Sequence, residues 1–117
     1  MIDEGQIVLF KFPQTDQKIG KLRPALVLRR LPGQFDDWLI CMISSQLHQQ
    51  MSELDEVITP ENSDFLKSGL KFPSVIRACR LAVVNSEVFL GQLGQIDQER
   101  LVNLKEKLAK WISGSLR

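Results

Sequence analysis

The chain has 117 residues, of which 44% are apolar and 25% charged, and its net charge is +1 at pH 7. This size and apolar content predict one domain over residues 1–117, with a core that needs no disulfide or metal to hold it together. No basic segment followed by an apolar one opens the sequence, and no apolar run is long enough to cross a bilayer. We therefore expect a cytoplasmic protein.

The first half of the chain predicts three strands. Residues 6–12 are rich in β-branched and aromatic side chains and end at Pro13, and residues 13–21 form a long polar loop of the kind that often covers a site. Residues 22–30 and 38–45 predict strands whose middles are apolar on both faces, so both faces should be buried. A barrel interior can bury only one of these faces. The other must contact a helix or a second subunit, and a homodimer is the economical answer.

The second half predicts three more strands, over residues 54–59, 74–84 and 87–93. Pro60 ends the first of them, and a tight turn at Asn85–Ser86 joins the other two. Together with the first half this makes five or six short strands, which is typical of a small, strongly bent β-barrel.

Two helical segments are added to these strands. Residues 61–68 predict one or two helical turns that Gly69 stops, and Asp97 is a good N-cap for a longer C-terminal helix that Gly114 ends. Apolar residues recur along that helix at intervals of three and four, which predicts one buried stripe: Leu101, Leu104, Leu108, Trp111 and Ile112. The predicted fold class is therefore mainly β with α additions.

The cysteines and the histidine leave little room for metal or disulfide chemistry. Cys41 and Cys79 lie in apolar, strand-like segments, where a thiol usually packs as a small hydrophobic group, and two such residues make no disulfide framework. His48 is the only histidine, and it lies in a polar loop without a second histidine to act as the complementary acid. We expect both cysteines in the core, a solvated His48, and no metal or other cofactor.

Charge is distributed unevenly along this balanced chain. Residues 17–30 carry five cations and no acid, residues 51–64 five acids and no base, and residues 65–86 four bases and no acid. Such segregation predicts one surface that receives an anionic partner while another stays solvated. Arg23 belongs to the first cationic segment, where Pro24 favours an extended backbone at the start of a strand. A guanidinium held there matches the geometry of a phosphate.

Arg23 and Ser44 are the strongest candidates for chemistry. Neighbouring antiparallel strands joined by a short loop bring the end of one beside the start of the other, so these two residues can face one cleft. A guanidinium and a hydroxyl donor suit a phosphate, and they suit better a phosphorane whose extra charge develops in the transition state. The alternative is that Ser44 only satisfies turn backbone, as serines at strand ends commonly do.

Several short motifs follow one another along nearly the whole chain: GQIV at 5–8, FP at 12–13, TD at 15–16, GKLRPALVL at 20–28, ISSQ at 43–46, GL at 69–70, SVIR at 74–77 and LGQL at 90–93. In this order they resemble the PemK/MazF-like toxins of bacterial toxin–antitoxin pairs. The Arg-Pro block is fairly specific, whereas the later motifs are weak one by one.

The resemblance implies an SH3-like barrel that dimerises and cleaves single-stranded RNA, such as mRNA, as a metal-independent endoribonuclease restrained by a cognate antitoxin. In that family the arginine of the Arg-Pro pair and a threonine at the end of the next strand are the catalytic pair, which implies Arg23 and Ser44 here. The products would carry 2′,3′-cyclic phosphate and 5′-hydroxyl ends. Further residues are implied to contact RNA: Lys18, Lys21, Ser45, Gln46 and Arg77.

Two departures from the family pattern keep alternatives open. Ser44 replaces threonine and lacks the β-branch that restricts its rotamer, which predicts lower activity, and Ser45 is the counterpart if the register differs by one. Cys79 occupies a position where many relatives have an acid, which leaves the base preference open. The second hypothesis is a catalytically silent barrel that binds nucleic acid or only its partner. An SH3 adaptor for proline-rich peptides is disfavoured because the chain has no tyrosine to line the groove.

Overall fold

Six antiparallel strands form one curled sheet, a half-barrel, in a computed structural model that describes residues 2–11, 22–50 and 53–115. The strands are β1 (Gln6–Lys11), β2 (Leu22–Arg30), β3 (Asp37–Ser44), β4 (Glu56–Ile58), β5 (Ser74–Asn85) and β6 (Gly91–Gln95). The helices are α1 (Phe65–Ser68) and α2 (Gln98–Ile112), and 3₁₀ turns cover Leu47–Gln49 and Ser86–Val88. The sheet order β4-β5-β3-β2-β1-β6 and the C-terminal helix confirm the predicted class, mainly β with a small barrel-like fold.

The end of the predicted first strand and the predicted polar loop lie outside the described residues. The prediction of a strand over residues 87–93 is wrong in its first half, because Ser86–Val88 is a 3₁₀ turn. The Asn85 side chain accepts the backbone N–H of Glu87 at 3.0 Å, which caps this turn and delays the strand until Gly91.

Strands β2 and β3 are buried on both faces, as their composition predicted. Leu26 and Leu28 point to the face that packs against α2, which contributes three buried leucines, Leu101, Leu104 and Leu108. The opposite face, called the far face below, carries a second buried cluster: Val8, Phe10, Ala25, Val27, Trp38 and Ile40. Helix α2 therefore supplies, within a single chain, the cover that one of the two faces requires.

The apolar stripe of α2 is shorter than predicted. Trp111 is 52% exposed and Ile112 67% exposed, and all residues from 109 to 115 are exposed. The prediction that these two side chains join the core is wrong, because the last turn of the helix extends beyond the part that packs on the sheet. In the described part of the chain, no helix has the length and apolar character that crossing a membrane requires.

An ion-pair network anchors the first turns of α2. Arg100 donates from Nε to Asp64 Oδ2 at 2.8 Å and from Nη1 to Glu56 Oε1 at 3.0 Å, which links the helix to β4 and to the segment before α1. Burial alone would raise the pKa of Asp64, but hydrogen bonds from Arg100 and from the backbone of Asp97 outweigh it and hold this pKa below its usual value. Asp97 precedes the helix as predicted, although its carboxylate accepts a hydrogen bond from the Ser63 hydroxyl and none from a helix amide.

Helix α1 packs against β6 through two glycines. Gly69 ends the helix with φ of 76°, the left-handed conformation that the sequence predicted for it. A Cβ on Gly69 would overlap the carbonyl oxygen of Leu93, and one on Gly94 would overlap that of Lys67. The two backbones can therefore approach closely only because both positions lack a side chain.

Candidate active site on the far face of the sheet

The strand register brings Arg23 and Ser44 together. In β2 and β3 the paired residues include Ala25 with Met42 and Leu26 with Cys41, and the same register continued by two residues sets Arg23 opposite Ser44. Side chains directly opposite each other on antiparallel strands point to the same face. Arg23 also pairs with Phe10 of β1, a far-face residue. Both candidate residues therefore lie on the far face, at the end of its apolar cluster.

Pro24 explains why this end of the strand pair differs from its middle. Pairing of β2 with β3 begins at Ala25, the residue immediately after the proline. Proline has no backbone N–H to donate to a neighbouring strand, so regular pairing stops there. Arg23 and Ser44 consequently lie just beyond the paired residues of β2 and β3, where one ligand can contact both side chains.

The guanidinium of Arg23 is available to a ligand. Arg23 is exposed, and within residues 2–11, 22–50 and 53–115 its side chain has no hydrogen bond or ion pair. Five N–H donors in a fixed planar arrangement match the oxygens of a phosphate. Around neutral pH such a group presents a permanent positive charge at this end of the far face.

The hydroxyl of Ser44 is held by the turn that follows β3. Its Oγ accepts the backbone N–H of Gln46 at 3.1 Å, so the turn-satisfying role foreseen for this serine is present. A hydroxyl that accepts one hydrogen bond retains its own hydrogen for donation. Half-buried Ser44 can therefore satisfy the turn and still donate a hydrogen bond to an anion.

Arg77 lies on the same face as the pair. It is half-buried, and it is opposite Met42 of β3, two residues from Ser44 and with its side chain on the same side of the sheet. Ser45 and Gln46 follow β3 and are exposed. His48, also exposed, lies in the next 3₁₀ turn. The two lysines expected to bind RNA, Lys18 and Lys21, lie outside the described residues.

A bulge in β5 follows Arg77. Cys41 pairs with Leu81 whereas Met42 pairs with Arg77, so residues 78–80 have no partner across the strand pair. The prediction of a core position for Cys79 is wrong: the bulge lifts this residue out of regular pairing and leaves it exposed. Cys41 is buried as predicted, and burial raises the pKa of its thiol far above the usual value.

Asp55 is a functional candidate that the sequence did not reveal. It is only 3% exposed, and its carboxylate accepts the backbone N–H of Cys79 at 3.3 Å and lies 3.6 Å from the Cys79 sulfur. The β4–β5 register continued by one residue sets Asp55 opposite Arg77. Burial, then the hydrogen bond and charge of Asp55, raise the pKa of the Cys79 thiol. The one available signal was an acid directly between apolar Leu54 and the start of β4.

The arrangement as a whole suits an anionic ligand. Two guanidinium groups and one hydroxyl donor, from Arg23, Arg77 and Ser44, share the same end of the far face. Over the described ranges, no three or more histidine, cysteine, aspartate or glutamate side chains converge in a way that could hold a metal ion. The chemistry that this site offers is electrostatic stabilisation and hydrogen-bond donation to phosphate oxygens.

Comparison with known proteins identifies the family. Residues 3–112 match the family model described as PemK-like, MazF-like toxin of type II toxin-antitoxin system. A comparison with curated proteins finds no match. The family match spans every strand and both helices, including the Arg-Pro strand and the far-face residues described above. The chain therefore belongs to the PemK-like, MazF-like toxins of type II toxin–antitoxin systems.

Proposed function

We propose that this protein is a metal-independent endoribonuclease toxin that cleaves single-stranded RNA, mRNA in particular, with Arg23 and Ser44 as its catalytic residues. The observation that carries the proposal is the β2–β3 register: when it is continued by two residues beyond the Ala25–Met42 pair, Arg23 is opposite Ser44, in a chain of this toxin family. Members of the family are generally endoribonucleases.

RNA supplies its own nucleophile. The 2′-hydroxyl oxygen attacks the adjacent phosphorus and the bond to the 5′-oxygen breaks, while a proton leaves the 2′-oxygen and one is added to the departing 5′-oxygen. The products carry a 2′,3′-cyclic phosphate and a 5′-hydroxyl. The protein has to hold the attacking and leaving oxygens in line and to stabilise the charge of the pentacovalent transition state.

Arg23 and Ser44 divide this task. Arg23 provides the positive charge next to the non-bridging oxygens and can donate the proton to the leaving oxygen, whereas Ser44 donates a hydrogen bond to a non-bridging oxygen. The Gln46 amide limits the rotation of the Ser44 hydroxyl, since the Oγ accepts its N–H at 3.1 Å. This contact replaces part of the restriction that a threonine β-branch would impose.

RNA beyond the scissile phosphate would contact the neighbouring residues. Arg77 is suited to a backbone phosphate, and exposed Ser45 and Gln46 can hydrogen-bond to the strand as it leaves the site. Lys18 and Lys21 are proposed as further RNA contacts from the loop before β2.

The proposed partners follow from the same charges. An antitoxin with an acidic and apolar segment would occupy the cationic end of the far face and exclude RNA, and both proteins would act in the cytoplasm. We also propose a homodimer, because several large apolar side chains remain exposed on one chain, among them Phe72, Val83, Trp111 and Ile112. A monomeric mass by light scattering in dilute solution would contradict the dimer.

The enzyme is tested by incubating the purified protein with mixed-sequence single-stranded RNA in EDTA and analysing the new termini. We expect 2′,3′-cyclic phosphate ends from the wild type and none from Arg23→Ala. Arg29→Ala is the matched control, because Arg29 is also an exposed arginine of β2 but lies at the opposite end of the strand. Equal cleavage by Arg23→Ala and wild type would refute the proposed catalytic pair. RNA binding without new ends would favour the catalytically silent barrel.

A further inference from the structure

We propose that Asp55 is a positioning residue that holds the bulge of β5 and thereby sets how Arg77, Cys79 and Arg80 meet the RNA. The inference rests on the proposed function and concerns substrate affinity and sequence preference, not the chemical step. It assigns a role to a buried acid that the catalytic mechanism does not use.

The bulge is the point at which regular pairing between β3 and β5 is interrupted. Strand β5 pairs regularly with β3 up to Arg77 and with β4 up to Ile76, and Val75 is opposite Ser44. Regular pairing with β3 resumes only at Leu81, so residues 78–80 depend on other contacts for their conformation. Cys79 and Arg80 are both exposed next to Arg77, where a nucleotide adjacent to the scissile phosphate would lie.

Asp55 supplies a contact that the bulge needs. Its Oδ1 accepts the Cys79 N–H, an amide that has lost its strand partner, and its Oδ2 faces the Cys79 sulfur. The acceptor is a carboxylate that is only 3% exposed, and hydrogen bonds to ionised acceptors are stronger than those between neutral groups. The Asp55 carboxylate therefore holds Cys79, the middle residue of the bulge, through a hydrogen bond.

The burial of Asp55 argues against an incidental contact. Aspartate is rarely buried unless its charge is compensated, and Asp55 is as buried as Asp64, whose partner Arg100 ties helix α2 to the rest of the chain. Asp55 instead lies opposite Arg77 in the register, on the side of the sheet that carries the candidate site. A carboxylate in this position lies beside the bulge and across from the cation that we propose to contact RNA.

Asp55 and the proposed catalytic pair lie in different parts of the sheet. Arg23 and Ser44 are on β2 and β3, whereas Asp55 immediately precedes β4 and contacts β5. Loss of the Asp55–Cys79 contact should therefore weaken RNA binding and relax sequence preference while leaving the chemical step nearly intact. An acid that only stabilised the fold would not change RNA binding and sequence preference separately from the chemical step.

The test compares wild type, Asp55→Ala, Asp55→Asn and Leu108→Ala on one RNA oligonucleotide with a strong cleavage site and on mixed-sequence RNA. Leu108→Ala is the stability control, because this buried leucine lies on the helix side of the sheet. For Asp55→Ala we expect a KM about tenfold higher, a kcat within about twofold, and cleavage at more sequences. Asp55→Asn should be milder, since its amide oxygen can still accept the Cys79 N–H.

Two surface variants keep the inference testable if Asp55→Ala does not fold. Cys79→Ala and Arg80→Ala change exposed residues of the bulge and should shift the distribution of cleavage sites. Unchanged KM and unchanged cleavage sites in these variants and in any folded Asp55 variant would overturn the inference while wild-type cleavage upholds the proposed function. Absence of cleavage by the wild type would overturn the proposed function itself, and the inference with it.

Discussion

Removal of Arg100 should destabilise the fold through one buried carboxylate. In Arg100→Met, Glu56 keeps Lys107 at 3.0 Å and Asp64 keeps the Asp97 amide at 3.1 Å, but Asp64 loses two hydrogen bonds and its counter-charge. Breaking a buried ion pair costs about 3 to 5 kcal/mol, and the remaining contacts favour the low end, about 3 kcal/mol. For a chain of this size that lowers the Tm by about 12 °C.

The pH dependence gives this prediction its sign. In the wild type the pKa of Asp64 is held below its usual value, so its contribution to stability is present at neutral pH and is lost as the pH falls through that lowered pKa. In Arg100→Met only burial and the weaker contacts remain, and burial raises the pKa, so the folded variant binds a proton more readily. The stability deficit should therefore be large at neutral pH and smaller at about pH 4.

Urea titrations at the two pH values measure the free energy of unfolding directly. Arg30→Met is the matched control, because Arg30 pairs with Asp36 on the surface, where both side chains are about half exposed. We expect little change in its stability. A deficit for Arg100→Met as small as that of the control, or one that grows as the pH falls, would refute the reasoning.

Three further predictions concern the core, the α1–β6 contact and the site. Leu104→Ala should cost about 2 to 5 kcal/mol of unfolding free energy and Trp111→Ala far less, because only the first side chain is buried; equal losses in urea titrations would contradict this. Gly94→Ala should lower the Tm, since its Cβ would overlap the Lys67 carbonyl oxygen, and an unchanged melting curve would disprove the close approach. Ser44→Ala should lower kcat for RNA cleavage by about a hundredfold while Ser44→Thr stays active; a fully active Ser44→Ala enzyme would exclude the hydroxyl from catalysis.

The candidate catalytic pair could be predicted from the sequence because features of two neighbouring strands determine the positions of both residues. Arg23 precedes a proline at the start of an apolar strand, and Ser44 ends the next strand, joined to the first by a short loop. Antiparallel pairing of two such strands brings these ends together without information from elsewhere in the chain. Their roles in catalysis remain a proposal that the cleavage assay decides.

Asp55 and Cys79 could not be placed in the same way. An acid in an acid-rich segment predicts a solvated position, and a cysteine within an apolar, strand-like segment predicts a core position. Both predictions fail at the β5 bulge, where Cys79 is exposed and Asp55 is buried beneath it. The bulge arises from the way in which β5 fits two different neighbours, β3 and β4, and no short motif encodes that fit.

The sequence by itself determined the strands, their two buried faces, the C-terminal helix and the family, because apolar period, proline, glycine and capping residues act over a few neighbours. Only the tertiary structure decided where pairing shifts register, which acid is buried, and how far α2 stays on the sheet before Trp111 and Ile112 reach solvent. These features depend on contacts between residues far apart in the chain, whose geometry follows from packing the whole sheet at once.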